Sequence, residues 1–288
     1  MRTSFQTTSA RGLARDSFPM QLWEKSKRLG TWNPSEVDFT QDRADWRRLA
    51  DGEQDLLLRL AALFAAGEES VALDLLPLIG VIAREGRLEE ELYLTAFLWE
   101  EAKHVDAFRR FFDEVAEVDG DLSHYHSPSY RTLFCEELPE AMPALRTDDS
   151  PVAQARASVT YNMVVEGMLA ETGYHVYGEL LAGRGILPGM QRVVRYLQQD
   201  EARHLAYGVH LLTRLVAAHG APVRDAIEAR MQELVLPALG IIQEAFEAYP
   251  PDAVPFGLRP EPFVDYALGQ FGKRMEAIAR GGPGPVAA

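Results

Sequence analysis

Two five-residue segments limit what this chain can fold into: Glu100-Glu101-Ala102-Lys103-His104 and Asp200-Glu201-Ala202-Arg203-His204. Each places a glutamate three residues before a histidine, and in a helix that spacing stacks both side chains on one face, one turn apart. A carboxylate and an imidazole so arranged can hold one metal ion between them. The spacing alone decides little: with 26 Glu and 7 His in 288 residues, about 0.6 such pairs arise by chance. Their surroundings carry the argument.

Those surroundings are helical. Asp51 can cap a helix, with Gln54 placed to return the bond, and Leu57, Leu60, Ala61 and Phe64 follow at helical spacing to about residue 83. Gly86 turns the chain into a second helix, about 88–117, that carries Leu92, Leu94, Leu98, Phe108 and Phe112. Ser150-Pro151 is a capping serine followed by proline at the first helical position, and predicts a helix to about residue 182, ended by Gly183 and Gly185. Pro188 opens the next, which runs to Gly220, and two further helices are expected at about 222–248 and 260–279. Elsewhere the signals are weaker. From Arg11 to Asn33 the aromatics are scattered without a strong period, and Trp32-Asn33-Pro34 reads as extended because proline restricts the residue before it. The stretch 119–148, interrupted by Gly120, Pro128, Pro139 and Pro143, predicts one short helix among loops. No strand pattern and no glycine-rich phosphate loop stands out.

Counting along these helices gives the two segments their meaning. The first helix pair turns near Glu85, with Glu68 17 residues before the turn and Glu101 16 after it. In an antiparallel hairpin both lie at one height, about 25 Å from the turn at 1.5 Å per residue. The second pair turns near Arg184, with Glu166 18 residues before and Glu201 17 after. Glu68 interrupts the run Leu63-Phe64-Ala65-Ala66, and Glu166 sits among Met163, Val164, Val165, Met168 and Leu169. A carboxylate on an apolar face is expensive to bury unless paired or metal-bound. One Glu from each of two helices plus Glu-x-x-His from each of two others is the arrangement of a ferritin-like dinuclear carboxylate bundle. The expected fold is therefore all-α, a ferritin-like four-helix bundle core with additional helices, in a single helical domain over residues 1–280.

Composition narrows the function. The net charge of −14 repels nucleic-acid phosphates, and no Lys/Arg cluster compensates. Four carboxylates match two divalent cations, and oxygen and imidazole donors without thiolate suit iron and manganese. Cys135 is the only cysteine, which excludes an intramolecular disulfide and fits a reducing, cytoplasmic setting. The longest apolar run, Leu75 to Ala83, contains a proline and is too short to span a bilayer. Residues 1–15, rich in Ser, Thr and Arg, are read as a flexible N-terminus rather than an organelle transit segment, and the Gly/Pro/Ala-rich residues 281–288 as a disordered tail.

Several segments also resemble a known family. Trp32-Asn33-Pro34, Gly67-Glu68-Glu69-Ser70-Val71, Glu100-Glu101-Ala102-Lys103-His104, Ala157-Ser158-Val159-Thr160-Tyr161-Asn162 and Val165-Glu166-Gly167-Met168-Leu169-Ala170 look like the ribonucleotide reductase small-subunit-like ligand-binding oxidases. The resemblance covers about residues 20–250. It implies a homodimer with a Mn/Fe centre, or two Fe, that activates O2 to oxidise an aliphatic C–H bond. It also implies a long-chain fatty acid in an apolar channel with its carboxylate at the metals. Carried over, the ligands are Glu68, Glu101, His104, Glu166, Glu201 and His204, and Val71 and Tyr161 correspond to a valine and a tyrosine that the family joins by an ether bond. Val71 follows Glu68 by three residues and shares its face, whereas Tyr161, five before Glu166, lies about 140° round an ideal helix. A π-bulge between them would reduce that angle. Asp200 and Trp32 match positions that hydrogen-bond toward a ligating histidine in reductase small subunits, which gives Asp200 the role of fixing the His104 tautomer. Tyr174, eight residues after Glu166, shares its face.

Two other readings compete. A ribonucleotide reductase small subunit of the tyrosyl-radical type carries Tyr four residues after the first ligand histidine, where this chain has Phe108, and no Tyr follows Tyr266 to relay a radical. A Mn/Fe reductase subtype dispenses with the first tyrosine and remains an alternative. Ferritin-like iron oxidation and storage would require a many-subunit shell.

Overall fold

A computed structural model describes residues 12–280. The expected disordered tail at 281–288 and most of the expected flexible N-terminus therefore lie outside the described residues. From Ala14 the chain is tied down, its backbone N–H donating to Glu89.

Every regular element among the described residues is helical. In chain order they are α1 (Phe18–Leu29), α2 (Thr40–Trp46), α3 (Asp51–Arg84), α4 (Leu88–Phe111), α5 (Pro128–Arg131), α6 (Leu138–Ala144), α7 (Pro151–Ser158), α8 (Glu171–Arg184), α9 (Pro188–His219), α10 (Ala221–Glu247) and α11 (Glu261–Ala279). Three π-helical segments, Phe112–Ala116, Thr132–Glu137 and Val159–Ala170, extend α4, α5 and α7 at their C-terminal ends. α7, the last π segment and α8 form one continuous rod. It packs with α3, α4 and α9 as the four-helix core of a ferritin-like bundle, with the remaining helices laid around it.

The two hairpins turn where the sequence places them. Gly86 and Gly185 both adopt positive φ, 68° and 63°, at the ends of α3 and α8. Only glycine takes that conformation without a Cβ penalty. Ser150 caps α7, its hydroxyl accepting from Ala153 N–H. At α3 the cap differs from expectation. Ala50, not Asp51, is the capping residue, and Glu53, not Gln54, returns the bond by accepting from Ala50 N–H. Gln54 instead donates to the Trp46 carbonyl.

Two regions depart further from the sequence reading. α1 is not evident in the sequence because its inner face is partly polar: Ser26 is buried beside Met20 and Leu22, and accepts from Arg203 Nε at 3.2 Å. Between 119 and 148 the prolines do not break the chain into loops. Helical backbone runs from Pro128 to Ala144, with Pro139 second in α6, just past the π segment, where the change of hydrogen-bond register tolerates a missing N–H. α2 serves α9: Asp42 accepts from the N–H groups of Gly189 and Met190, and Asp45 from that of Leu187. Two carboxylates thereby satisfy the otherwise unpaired donors at the start of the helix that carries Glu201 and His204.

Apolar packing falls into two clusters. One contains Val71, Leu75, Phe97, Tyr161 and Leu212. The other contains Trp32, Leu57, Phe108, Tyr174 and Leu197. The expected carboxylates and histidines lie between them.

Candidate metal centre

Glu68 on α3, Glu101 and His104 on α4, Glu166 in the π segment and Glu201 and His204 on α9 are all buried, at 5% exposure or less. Glu69, the neighbouring alternative to Glu68, is exposed. Glu68, Glu101, His104 and Glu201 each offer a ligand atom within 4.8 Å of the others, and so do Glu101, Glu166 and His204. Glu101 belongs to both groups. Its Oε2 lies 3.6 Å from His104 Nδ1 and its Oε1 3.0 Å from His204 Nδ1. Glu201 is placed alike, with Oε1 3.5 Å from His104 Nδ1 and Oε2 3.5 Å from His204 Nδ1. Each carboxylate thus presents one oxygen to each imidazole.

The donor set fits a pair of divalent cations on an independent ground. Both oxygens of Glu101, Oε1 of Glu166, Oε2 of Glu201 and Nδ1 of His204 are buried and accept or donate no hydrogen bond among the described residues. Orphaned atoms of this kind are costly in a protein interior, and all five face the same small volume. Electrostatics agree. Burial pushes the Glu68 carboxyl up to about 8 and raises Glu166 and Glu201 as well. Burial opposes charge on the imidazoles too, yet Glu68 holds His104 above its ordinary range, and Glu201 and Glu101 do the same for His204. Left to themselves these groups gather protons, while at Glu101 burial is outweighed by the two imidazoles, which hold its carboxyl low; cations can take the place of those protons.

Each imidazole is fixed by a carboxylate from the opposite motif. His104 Nε2 donates to Asp200 Oδ2 at 3.2 Å, and His204 Nε2 donates to Glu100 Oε2 at 3.0 Å. This leaves both Nδ1 atoms facing the ion positions. Asp200 also accepts from Trp32 Nε1 at 2.8 Å and Lys103 Nζ at 3.1 Å, and Arg203 donates to both Asp200 and Glu100. Glu100, Lys103 and Arg203 are supporting groups that the sequence reading does not single out. The signal is nonetheless present, since each motif has the form acid-Glu-Ala-base-His, and the acid and base of one reach the histidine and acid of the other.

The remaining expected residues converge as well. Tyr174 donates to Glu68. Asn162 Nδ2 donates to Glu166 Oε2 at 2.9 Å and is itself held by Ser158. Because the π segment spans both Tyr161 and Glu166, its i→i+5 bonding brings residues five apart toward one side. Tyr161 donates to the Val71 carbonyl at 3.1 Å. Burial raises the pKa of this phenol well above its ordinary value. Phe108 stacks on Phe64 at 5.5 Å, and Phe64 on Tyr174 at 4.7 Å.

An apolar cavity reaches this centre from the surface. Leu60, Leu63, Phe134, Ile242, Phe246 and Phe263 are among its walls, Val71 lies on one side, and Glu68, Glu166 and Glu201 lie along its lining.

Comparison with known proteins agrees with this geometry. The family profile described as ribonucleotide reductase, small chain, matches residues 16–268. Among solved structures, a valine-to-leucine variant of an R2-like ligand-binding oxidase with anaerobically reconstituted Mn/Fe cofactor is 37% identical over 96% of this chain and 98% of its own, with a TM-score of 0.88. A glycine-to-leucine variant, also reconstituted anaerobically, gives 0.90 at the same identity and coverage. A tyrosine-to-phenylalanine variant with aerobically reconstituted Mn/Fe cofactor gives 0.88, again at 37% identity and the same coverage.

Proposed function

Since the chain belongs to the ribonucleotide reductase small-chain family, we propose that this dinuclear metal oxidase binds a long-chain fatty acid or similar apolar ligand and uses O2 to oxidise an aliphatic C–H bond. One such bond is its own, joining Val71 to Tyr161. We assign Glu68, Glu101, His104, Glu166, Glu201 and His204 as the residues that would hold the two ions. A bound Mn/Fe pair, or two Fe, supplies O2 reduction and the oxidising power for C–H cleavage.

The observation that carries this reading is the apolar cavity. Its walls offer hydrocarbon contacts and almost no hydrogen-bonding groups, whereas Glu68, Glu166 and Glu201 contribute polar atoms at the metal ligands. A ligand with one charged end and a long apolar body matches that polarity. An occupied channel also excludes water from the reacting bond. The protein's own groups do the positioning. Tyr174 and Asn162 orient Glu68 and Glu166, Asp200 and Glu100 hold the two imidazoles, and the Tyr161 hydroxyl rests against Val71. Forming the ether breaks one Val71 C–H bond and the Tyr161 O–H bond and makes one C–O bond. The two electrons and two protons released are taken up in O2 reduction.

Phe108 supports an oxidase over a tyrosyl-radical store, because a phenylalanine, here stacked on Phe64, has no oxidisable hydroxyl. A homodimer is supported by Leu73 and Leu76 on α3 and Leu88 and Trp99 on α4, large apolar side chains between 42% and 64% exposed. No helix among the described residues is long and apolar enough to cross a membrane.

The test is intact-mass measurement after anaerobic loading with Mn and Fe and exposure to air. The expected result is a loss of two hydrogens, linked peptides containing Val71 and Tyr161, and a fatty acid released on denaturation. An unchanged mass with no linked peptides sinks the cross-link, and a channel that yields no apolar ligand sinks the ligand assignment.

A further inference from the structure

Beside His204, and outside the apolar cavity, lies a second aromatic series for which the oxidase reading has no use. The Phe97 ring stacks on His204 with centroids 3.7 Å apart and planes inclined by 13°. Tyr93 follows at 6.1 Å from Phe97, and Tyr207 at 5.4 Å from Tyr93. All four residues are fully buried. The series ends at Glu90, whose Oε2 accepts from the Tyr207 hydroxyl at 3.1 Å. Glu90 faces Arg214 at 3.3 Å and Arg87 at 3.6 Å, by the turn between α3 and α4. Burial raises its carboxyl, and the two guanidinium groups oppose that rise.

The two phenols differ in one respect. The Tyr93 hydroxyl has no hydrogen-bond partner among the described residues, whereas Tyr207 has a carboxylate. For packing alone a phenylalanine would serve better at 93, since a buried unpaired hydroxyl is destabilising. For electron transfer the difference has a clear meaning. A phenol that loses an electron becomes a strong acid and must also lose its proton, and Tyr93 has no side-chain acceptor for it among the described residues. Tyr207 has an acceptor at hydrogen-bond distance.

We propose that Tyr207 is an electron donor to the metal centre, reached from His204 through Phe97 and Tyr93. It gives one electron toward an O2-oxidised metal pair and its phenolic proton to Glu90. The O–H bond breaks, Glu90 becomes a neutral acid, the centre is reduced by one electron and a phenoxyl radical remains on Tyr207. Tyr93 serves as a bridge between rings. The donor discharges the centre when no C–H bond is available to it. This rests on the oxidase reading. It does not concern the position of Phe108, which lies in the other apolar cluster.

The Tyr161→Phe chain, which lacks the cross-linking hydroxyl, provides the test. It is loaded anaerobically with Mn and Fe, its metal content is measured, and it is mixed with O2 while oxygen uptake and freeze-quenched electron paramagnetic resonance are recorded. A radical signal that narrows when ring-deuterated tyrosine is incorporated is expected. Adding Tyr207→Phe should abolish it, and adding Glu90→Gln, which leaves the phenol in place, should lower its yield by more than about tenfold. Tyr93→Phe should slow its appearance while leaving its line shape unchanged. Circular dichroism establishes that each variant is folded. Oxygen uptake without a radical, or a radical that survives Tyr207→Phe, overturns the proposal. No oxygen uptake by a metal-loaded chain overturns the oxidase reading beneath it.

Discussion

The two Glu-x-x-His hairpins are alike in sequence and unlike in build. α3 and α4 are α-helical through Glu68, Glu101 and His104, and their turn is set by one glycine. The opposing hairpin carries Glu166 inside a π segment of 12 residues, and only then resumes as α8. The supporting groups are unequal too. Asp200, behind His104, is held by Trp32, Lys103 and Arg203, while Glu100, behind His204, is held among the described residues by Arg203 and the histidine. One half is a braced frame, and the other places its carboxylate through a distorted backbone. The two groups of candidate ligands built from them therefore have different surroundings.

The largest effect expected from breaking this comparison comes from Glu101, which belongs to both groups of candidate ligands. Glu101→Ala removes a donor from each ion position, so metal per chain should fall from about two ions to nearly none by elemental analysis. Retention of one full equivalent would show that the halves bind independently.

Next in size is the response to pH. In the unfolded chain the Glu68 carboxyl titrates near 4.5, and in the fold burial moves it to about 8. Between those values the folded state keeps a proton that the unfolded state releases, so the chelator-treated protein loses stability as pH rises through the window. His104 and His204, also raised, add to the loss above about 6.5. Asp200 acts oppositely. Burial would raise its carboxyl, but the His104 hydrogen bond and nearby cations hold it low, so its contribution disappears only in acid. A Tm lower by about 3–10 °C at pH 8 than at pH 5.5 is expected without metal, with most of the difference removed by metal loading. A metal-free Tm that rises across this range would contradict the charge accounting.

Sharper still is a matched pair, Asp200→Asn and Glu100→Gln. Each should weaken one ion position by about 10–100-fold, and titration should show a different site weakened in each variant. Smallest is Gly208→Ala. A Cβ there would lie 2.4 Å from Asn162 Cβ, where α9 presses on the π segment. A loss of about 1–3 kcal/mol in denaturant unfolding is expected, with metal lost first from the position that includes Glu166.

The contrast also explains what the sequence can reveal. Depth along a hairpin follows from counting residues, so the sequence alone places Glu68, Glu101, Glu166 and Glu201 at one height. Direction around the axis needs the backbone type. Tyr161 falls off the site's face when the angle is reckoned for an α-helix, and the π segment removes the difficulty. α1 goes unread because Ser26 faces inward to meet Arg203, a partner 177 residues away. Lys103 and Glu100 are not singled out for the same reason. Their partners belong to the other motif, and local periodicity carries no record of such pairings. The proline at 139 misleads for a local reason, since it falls in the first turn of α6, where few bonds are left to break.

The central claim is that six side chains from both hairpins hold two ions, and anomalous diffraction from crystals loaded with Mn and Fe tests it most directly. Two anomalous peaks are predicted between the histidines, one ligated by Glu68 and His104 and the other by Glu166 and His204, with Glu101 and Glu201 touching both. A single peak, or peaks outside this cluster, would contradict it.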